Sequence, residues 1–348
     1  MRPGLAVQAF AVSWRRRSGL DGKLPAGVGS RQRPMPARPL HSLWSRYDGP
    51  PLELFIGAAD VVHGTNFVVP PTRHAASVVS IHDLTPLHHP ELSDGATLAY
   101  PGLIRRALQR DAWVHADSAF VAAEVVDAFE ADPDRVRVVH PGVPDLPEVG
   151  DLEAQGVLRR ILPDGSRRYC LAIGTAEPRK DLPGLVHAFG AVAARQPDVS
   201  LVLAGPPGWG EQALADAVAA SPARARIVRT GWLDPPELAA LLRRATVLAF
   251  PSLYEGFGFP PLQAMRAGVP VVATRAGSLP EVLGDGARLV DVGDRDALAA
   301  ALGECLADEA VRRQLIAAGT AWVDRYSWSS CGEGLERLYR DAAGTPHD

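Results

Sequence analysis

Lysine is almost missing from this chain: of 36 basic residues only Lys23 and Lys180 are lysines, and the rest are arginine. Cysteine is equally scarce. The three cysteines among 348 residues, Cys170, Cys305 and Cys331, are odd in number and lack C-x-x-C spacing, so neither a disulfide framework nor a zinc site is indicated. They are expected in the core or on helix faces. Aromatic residues reach only 6%, and no stretch approaches the roughly 18 uninterrupted apolar residues of a membrane-spanning helix. The N-terminus also lacks the ordered basic, apolar and cleavage regions of a secretion signal, so the chain reads as cytoplasmic. Positive charge is short where a polyanion would need it. Residues 1–50 carry nine Lys and Arg against two acids, whereas residues 51–348 carry 27 against 38, which argues against a nucleic-acid partner for the body of the protein.

What is present is globular: 47% hydrophobic and 22% charged residues, in a length that suits two domains. Residues 1–40, with Arg15-Arg16-Arg17 and a Gly/Pro-studded stretch, show no sustained period and read as a disordered leader. From about residue 50, short β-branched runs alternate with Ala/Leu/Arg-rich helical stretches, the pattern of βα units in a parallel α/β sheet. Strands are predicted at 60–63, 77–82, 112–116 and 136–140, with helices at 96–110 and 118–130. Residues 146–168, with Pro147 and Pro163 among acids and arginines, read as a linker. The alternation restarts with strands at 169–174, 199–204, 225–230, 247–250, 269–273 and 288–290, followed by further helices. Domain boundaries then fall at 41–145, 169–325 and a closing segment at 326–342.

The most informative segment runs from Phe250 to Met265, out of a strand end and into a helix. Gly256 and Gly258 let main-chain amides approach a ligand without an intervening Cβ, and Pro260 or Pro261 suits a first helical turn. A helix starting there aims its positive end at the loop, where an anion such as a diphosphate is favoured. Glu255 and Gln263 can face the same ligand. Pro261 in the place of the third glycine argues against a dinucleotide fingerprint, and neither a G-x-x-x-x-G-K-[ST] phosphate loop nor a G-x-S-x-G elbow occurs. Arg179 and Lys180 follow an apolar strand and Gly174, a position where two cations can meet a departing diphosphate. His82 ends an apolar strand beside Asp83, where open α/β sheets place ligand-contacting groups.

These segments together resemble the family 4 retaining glycosyltransferases of GT-B fold. Glu255 to Gln263 resembles the E-x7-E signature, with glutamine in the second position, and Ile81-His82-Asp83-Leu84 resembles the N-terminal-domain histidine motif. Ala116-Asp117-Ser118 is similar to the corresponding strand end. Gly174 through Asp181 resembles G-x-x-x-x-R-K-[ND], Gly231-Trp232-Leu233 the base-side loop, and Tyr326-Ser327-Trp328 the start of a crossing C-terminal helix. The resemblance spans about residues 50–342. It implies two Rossmann-like domains facing a cleft, the N-terminal one incomplete because the family's first strand and Gly-rich loop have no counterpart in the leader. It implies further a retaining transfer of a mannose-like or other hexose from a nucleotide-sugar donor to a glycan, lipid or small-molecule hydroxyl, with no cofactor and no metal. His82 and Glu255 would be catalytic, Arg179 and Lys180 would hold the diphosphate, and Gly256, Phe257, Gly258, Leu262 and Gln263 would hold the donor sugar and ribose. A non-catalytic nucleotide-sugar-binding or scaffold protein of the same fold is the alternative.

Several competing features have plainer explanations. His82, Asp83, His88 and His89 could be imagined as a metal cluster, but Pro90 follows in an irregular stretch that need not converge with His82. Asp132-Pro133-Asp134 and Asp294-Arg295-Asp296 could be metal-binding D-x-D triplets; a turn and a helix cap account for them. Arg105, Arg106 and Arg110 on one helix could meet anionic lipid at the inner face of a membrane, against the simpler reading of a solvated face.

Overall fold

A computed structural model describes residues 5–12, 24–31, 36–44, 46–162 and 168–344. Its strands are β1 (Gln8–Phe10), β2 (Gly29–Arg31), β3 (Val61–Gly64), β4 (Ala76–Ile81), β5 (Trp113–Ala116), β6 (Val136–Val138), β7 (Arg168–Ile173), β8 (Val199–Ala204), β9 (Ile227–Gly231), β10 (Val247–Phe250), β11 (Val271–Thr274) and β12 (Arg288–Val290). β7–β12 form one parallel sheet in the order β9-β8-β7-β10-β11-β12, and β3–β6 form a second parallel sheet in chain order. Both are buried between helices, which is why every residue of β8 and β10 is buried and all but Ser200 are apolar.

The order of the larger sheet reverses between β7 and β10. Chain growth runs outward to β9 on one side and to β12 on the other, the doubly wound arrangement whose ligand crevice opens at the carboxyl ends of the two central strands. Local chemistry sets the helices around it. Asp181, at a left-handed φ of 42°, caps Leu182–Arg195 by accepting from the Gly184 amide, and Asp234 with Glu237 forms a capping box ahead of Pro235–Arg243. Phe189 and Phe250, at 0% and 2% exposure, anchor the two faces of this sheet, each contributing about 1.5–3 kcal/mol by burial.

Two strands of chain cross between the domains side by side. The Val143 amide donates to the Tyr326 carbonyl at 3.1 Å, and Arg266 reaches the carbonyls of both Val143 and Tyr326. Helix Trp328–Ala343 then returns to pack on β3 and β4 of the first sheet.

The leader departs from expectation. β1 and β2 pair in parallel, helix Ala37–Trp44 follows, and Leu40 and Trp44 are buried in the first domain's core with Phe10 and Val12 packed against it. Three-residue strands and one short helix leave no period long enough to read. Arg15-Arg16-Arg17 lies outside the described residues. The linker expected at 146–168 also carries a helix, Asp151–Ile161, whose Ala154, Val157 and Ile161 join the second core. Their three- and four-residue spacing was masked by the flanking prolines; residues 163–167 lie outside the description. No helix among the described residues is long and apolar enough to cross a membrane.

Candidate active site

Arg179 and Lys180 sit in the turn Pro178–Lys180 after β7, and Glu255 sits in the loop between β10 and helix Phe259–Arg266. The sheet's reversal point therefore places all three together. Lys180 Nζ donates to Glu255 Oε1 at 2.5 Å, Arg179 Nη1 to Oε2 at 2.7 Å, and Ser252 Oγ to Oε1 at 2.7 Å. Lys180 Nζ also lies 4.7 Å from the Phe250 ring centroid. Burial raises the cost of charging Glu255, but the two cations and the Ser252 and Lys180 hydrogen bonds outweigh it and hold the carboxyl below its ordinary pKa. The expectation assigned Glu255 to sugar hydroxyls and the cations to diphosphate. In the structure the two cations and the carboxylate neutralise one another.

The first domain closes over this cluster through main-chain contact. A Cβ on Gly256 would lie 1.7 Å from the His82 carbonyl oxygen, so only glycine permits the approach, and Gly258 starts the following helix at φ 110°. Ser118 Oγ donates to the Gly256 carbonyl at 2.9 Å, and the Leu84 amide donates to Tyr254 Oη at 3.2 Å. Tyr254 Oη in turn bonds the Glu124 carboxylate, whose pKa burial pushes upward. On the far side, Glu281 accepts from the Ala119 and Phe120 amides at 2.8 and 2.9 Å and from His140 Nε2 at 3.0 Å.

His82 follows β4 and points its ring at two oxygens, Asp117 Oδ2 at 2.7 Å and the Thr65 carbonyl at 2.9 Å. Gln263 is half-buried and, among the described residues, makes no side-chain hydrogen bond, which leaves its amide free for a hydroxyl. The side chains of two expected site residues are packed inside. Leu262 is fully buried in the second core, and Phe257, 5% exposed, stacks among His140, Phe259 and Tyr326. The loop motif does not reveal which of its side chains turn inward.

Each competing feature has local contacts of its own. Asp132 and Asp294 cap the turns that follow them. Arg106 and Arg110 bond Asp48, Arg110 also reaches the Val69 carbonyl, and Arg105 lies over the Phe129 ring, so this basic face is largely engaged within the protein. His88 lies 3.6 Å from Glu124 and His89 3.4 Å from Glu91; no metal-binding group of three or more side chains occurs among the described residues. A cleft of about 600 Å3 between residues 105–114 and 127–136 includes none of the residues of the candidate site. All three cysteines are buried. Sequence reasoning assigned no role to Ser118, Glu124, Ser252, Tyr254 or Glu281; a serine or aspartate ending a strand, as in Asp117-Ser118, was the available signal.

Residues 158–322 match the family model described as glycosyl transferases group 1. The chain is 31% identical over 283 residues to the O-antigen chain mannosyltransferase B of Escherichia coli, covering 80% of this chain and 74% of that protein. It belongs to the group 1 glycosyltransferases. The fold is GT-B: sucrose-phosphate synthase from Thermosynechococcus elongatus superposes with a TM-score of 0.74 at 20% identity, over 97% of this chain and 89% of that one. Anabaena HepE, solved in complex with UDP and glucose, superposes with a TM-score of 0.66 at 21% identity, over 77% and 72% of the two chains. The protein is a glycosyltransferase with a mannosyltransferase among its relatives.

Proposed function

We propose that this glycosyltransferase moves a mannose-like hexose from a nucleotide-sugar donor to a hydroxyl acceptor, retaining the anomeric configuration and needing no metal. The observation that carries the reading is the pair Arg179 and Lys180 at the reversal point of the second sheet, with His82 of the first domain brought against the same loop. Loss of a nucleoside diphosphate builds negative charge on phosphate oxygens, and fixed cations in a partly dry cleft stabilise that charge. Both cations sit on one 3₁₀ turn, Pro178–Lys180. Glu255 and Gln263 supply acceptors for sugar and ribose hydroxyls, and the Gly256 and Gly258 backbone keeps the loop slim enough for close approach. The mannose preference follows the name of the O-antigen relative, and the nucleotide the UDP-bound neighbour.

A panel of nucleotide sugars varied in base and hexose, followed by thermal shift and then by release of nucleoside diphosphate with glycan, lipid and small-molecule acceptors, tests this. One donor should stabilise the protein and turn over in a chelator, giving a product whose anomeric coupling matches the donor. Turnover only with added divalent metal, or an inverted product, would overturn the mechanism; binding without any turnover would favour a scaffold role.

A further inference from the structure

We propose that Asp117 is a positioning residue that keeps His82 as an imidazolium, so that the first domain brings a third cation to the donor alongside Arg179 and Lys180. The proposal rests on the nucleotide-sugar reading for its catalytic meaning, but its physical basis is independent. Both His82 ring nitrogens face oxygens, and the Thr65 carbonyl oxygen can only accept, so Nε2 carries a proton. Across the 2.7 Å from Nδ1 to Asp117 Oδ2 one further proton is required, since two lone pairs would otherwise collide. Of the two bases the imidazole is much the stronger, with ordinary pKa values of about 6.5 against 3.9, so that proton rests on Nδ1. The pair is then a carboxylate with an imidazolium. That also explains how Asp117, 5% exposed, tolerates burial.

The neighbours leave Asp117 no other cation. His115 Nε2 donates to the Val139 carbonyl at 2.9 Å, which leaves its Nδ1 to accept from Ser80 Oγ at 2.8 Å. Ser80 Oγ then accepts from His63 Nε2 at 2.8 Å, and His63 Nδ1 accepts from Tyr339 Oη at 2.7 Å. Every donor in this chain points one way, and both of its histidines are neutral. His115 Nε2 stays 3.6 Å from the other Asp117 oxygen. The titratable and charged groups around His82 are thus Asp117 and His115 from β5 and its end, His63 from β3, and Asp83 beside it, with Arg179 facing Asp83 from the second domain. Burial opposes charge on His82, but Asp117, the Thr65 carbonyl and Asp83 outweigh it and its pKa lies above the ordinary histidine value.

The buried bond to Asp117 fixes the ring. The Nε2 bond to Thr65 lies at the surface, on a side chain 38% exposed, and is the proton available for exchange onto a donor oxygen. Asp117 itself touches no substrate. Its effect is on the charge and direction of His82.

Nitrogen-15 chemical shifts of the His82 ring in the unmodified protein, assigned by loss of the signal in His82→Gln, should be those of an imidazolium at pH 7 with both nitrogens protonated. A neutral ring at that pH overturns the proposal, whatever reaction the protein catalyses. In Asp117→Asn, judged folded by unchanged circular dichroism and nucleoside diphosphate affinity, the His82 titration should move down by about one pH unit or more. With the donor that turns over, kcat should fall about tenfold or more while donor KM changes by less than about threefold, and the high-pH limb of the rate profile should move to lower pH. A lowered rate with an unmoved His82 titration would make Asp117 merely structural. If no nucleotide sugar turns over with the unmodified protein, the functional reading fails while the shift measurement still decides the charge of His82.

Discussion

The His82 carbonyl oxygen and Gly256 occupy positions that a single methyl group would make incompatible, since a Cβ at 256 would lie 1.7 Å from that oxygen. The oxygen belongs to the first domain and the glycine to the second, so the contact ties the close approach of the domains to the absence of one side chain. Arg179 and Lys180, by contrast, make their side-chain hydrogen bonds to Tyr254, Glu255 and Glu177 of the second domain.

Gly256→Ala should therefore separate transfer from binding. The loop and the His82 strand end must move apart by more than an ångström, and a displacement on that scale at a reacting centre costs about a hundredfold in rate. Nucleoside diphosphate affinity should change by less than about threefold. Calorimetry beside a turnover assay would refute the idea if both quantities fell together, or if neither did.

Lys180→Ala should weaken nucleoside diphosphate binding by about 1.5–3 kcal/mol, the scale for losing a charge-assisted contact. Glu255→Gln should act in the opposite direction on binding, because the carboxylate now neutralising Arg179 and Lys180 competes with the incoming diphosphate. Its transfer rate should nevertheless fall, as the sugar loses an ionic acceptor. Weaker diphosphate binding in Glu255→Gln would show that the carboxylate supports the anion site rather than occupying it.

Glu281 spans the domains, capping helix Ala119–Phe129 and meeting His140. Burial raises its pKa, yet His140 and the two amides prevail and lower it. A depressed carboxyl pKa stabilises the folded state above the unfolded value near 4.3 and loses that contribution as pH falls through the lower folded value. Glu281→Gln should cost about 1–2 kcal/mol at pH 7, discounted for partial exposure, with the gap to the unmodified protein shrinking below about pH 4. Urea titrations at pH 7 and pH 3.5 that gave the same difference would contradict this.

Much of this architecture could be read from residue order. Val199–Ala204 and Val247–Phe250 match the predicted strands at both ends, because a strand covered on both faces is a mostly apolar run with sharp limits; the edge strand Arg288–Val290 matches as well, although only Val290 is buried. His82, Arg179, Lys180 and Glu255 were legible for a related reason: each follows such a run, where an open sheet exposes its loops. Helix Asp151–Ile161 was hidden because prolines and acids surround a modest apolar stripe. The pairs Tyr254 with Glu124 and Glu281 with His140 carry no local signal, since each joins residues more than 125 positions apart across docked domains. Leu262 shows the converse limit. The family resemblance placed it at the site, and its helix packs the side chain wholly in the core.

A hydrogen-bonded line from Tyr339 through His63 and Ser80 to His115 fastens the crossing C-terminal helix to the first sheet. Burial lowers the His63 pKa to about 3, with His115 and His82 adding to the effect, and lowers that of His115 as well. Here the unfolded chain binds the protons. Stability is complete above the unfolded histidine value near 6.5 and declines as pH falls below it, by about 1.4 kcal/mol per pH unit for His63 until its folded value is reached. Tyr339→Phe removes the one donor to His63 Nδ1 among the described residues and should cost about 1–3 kcal/mol at pH 7. Its unpaired nitrogen then becomes a better proton acceptor, so the penalty should narrow toward pH 5 as His63 charges more easily in the variant than in the unmodified protein. Chemical denaturation of both proteins across pH 5–8 would measure this, and a penalty independent of pH would place the tyrosine in packing alone.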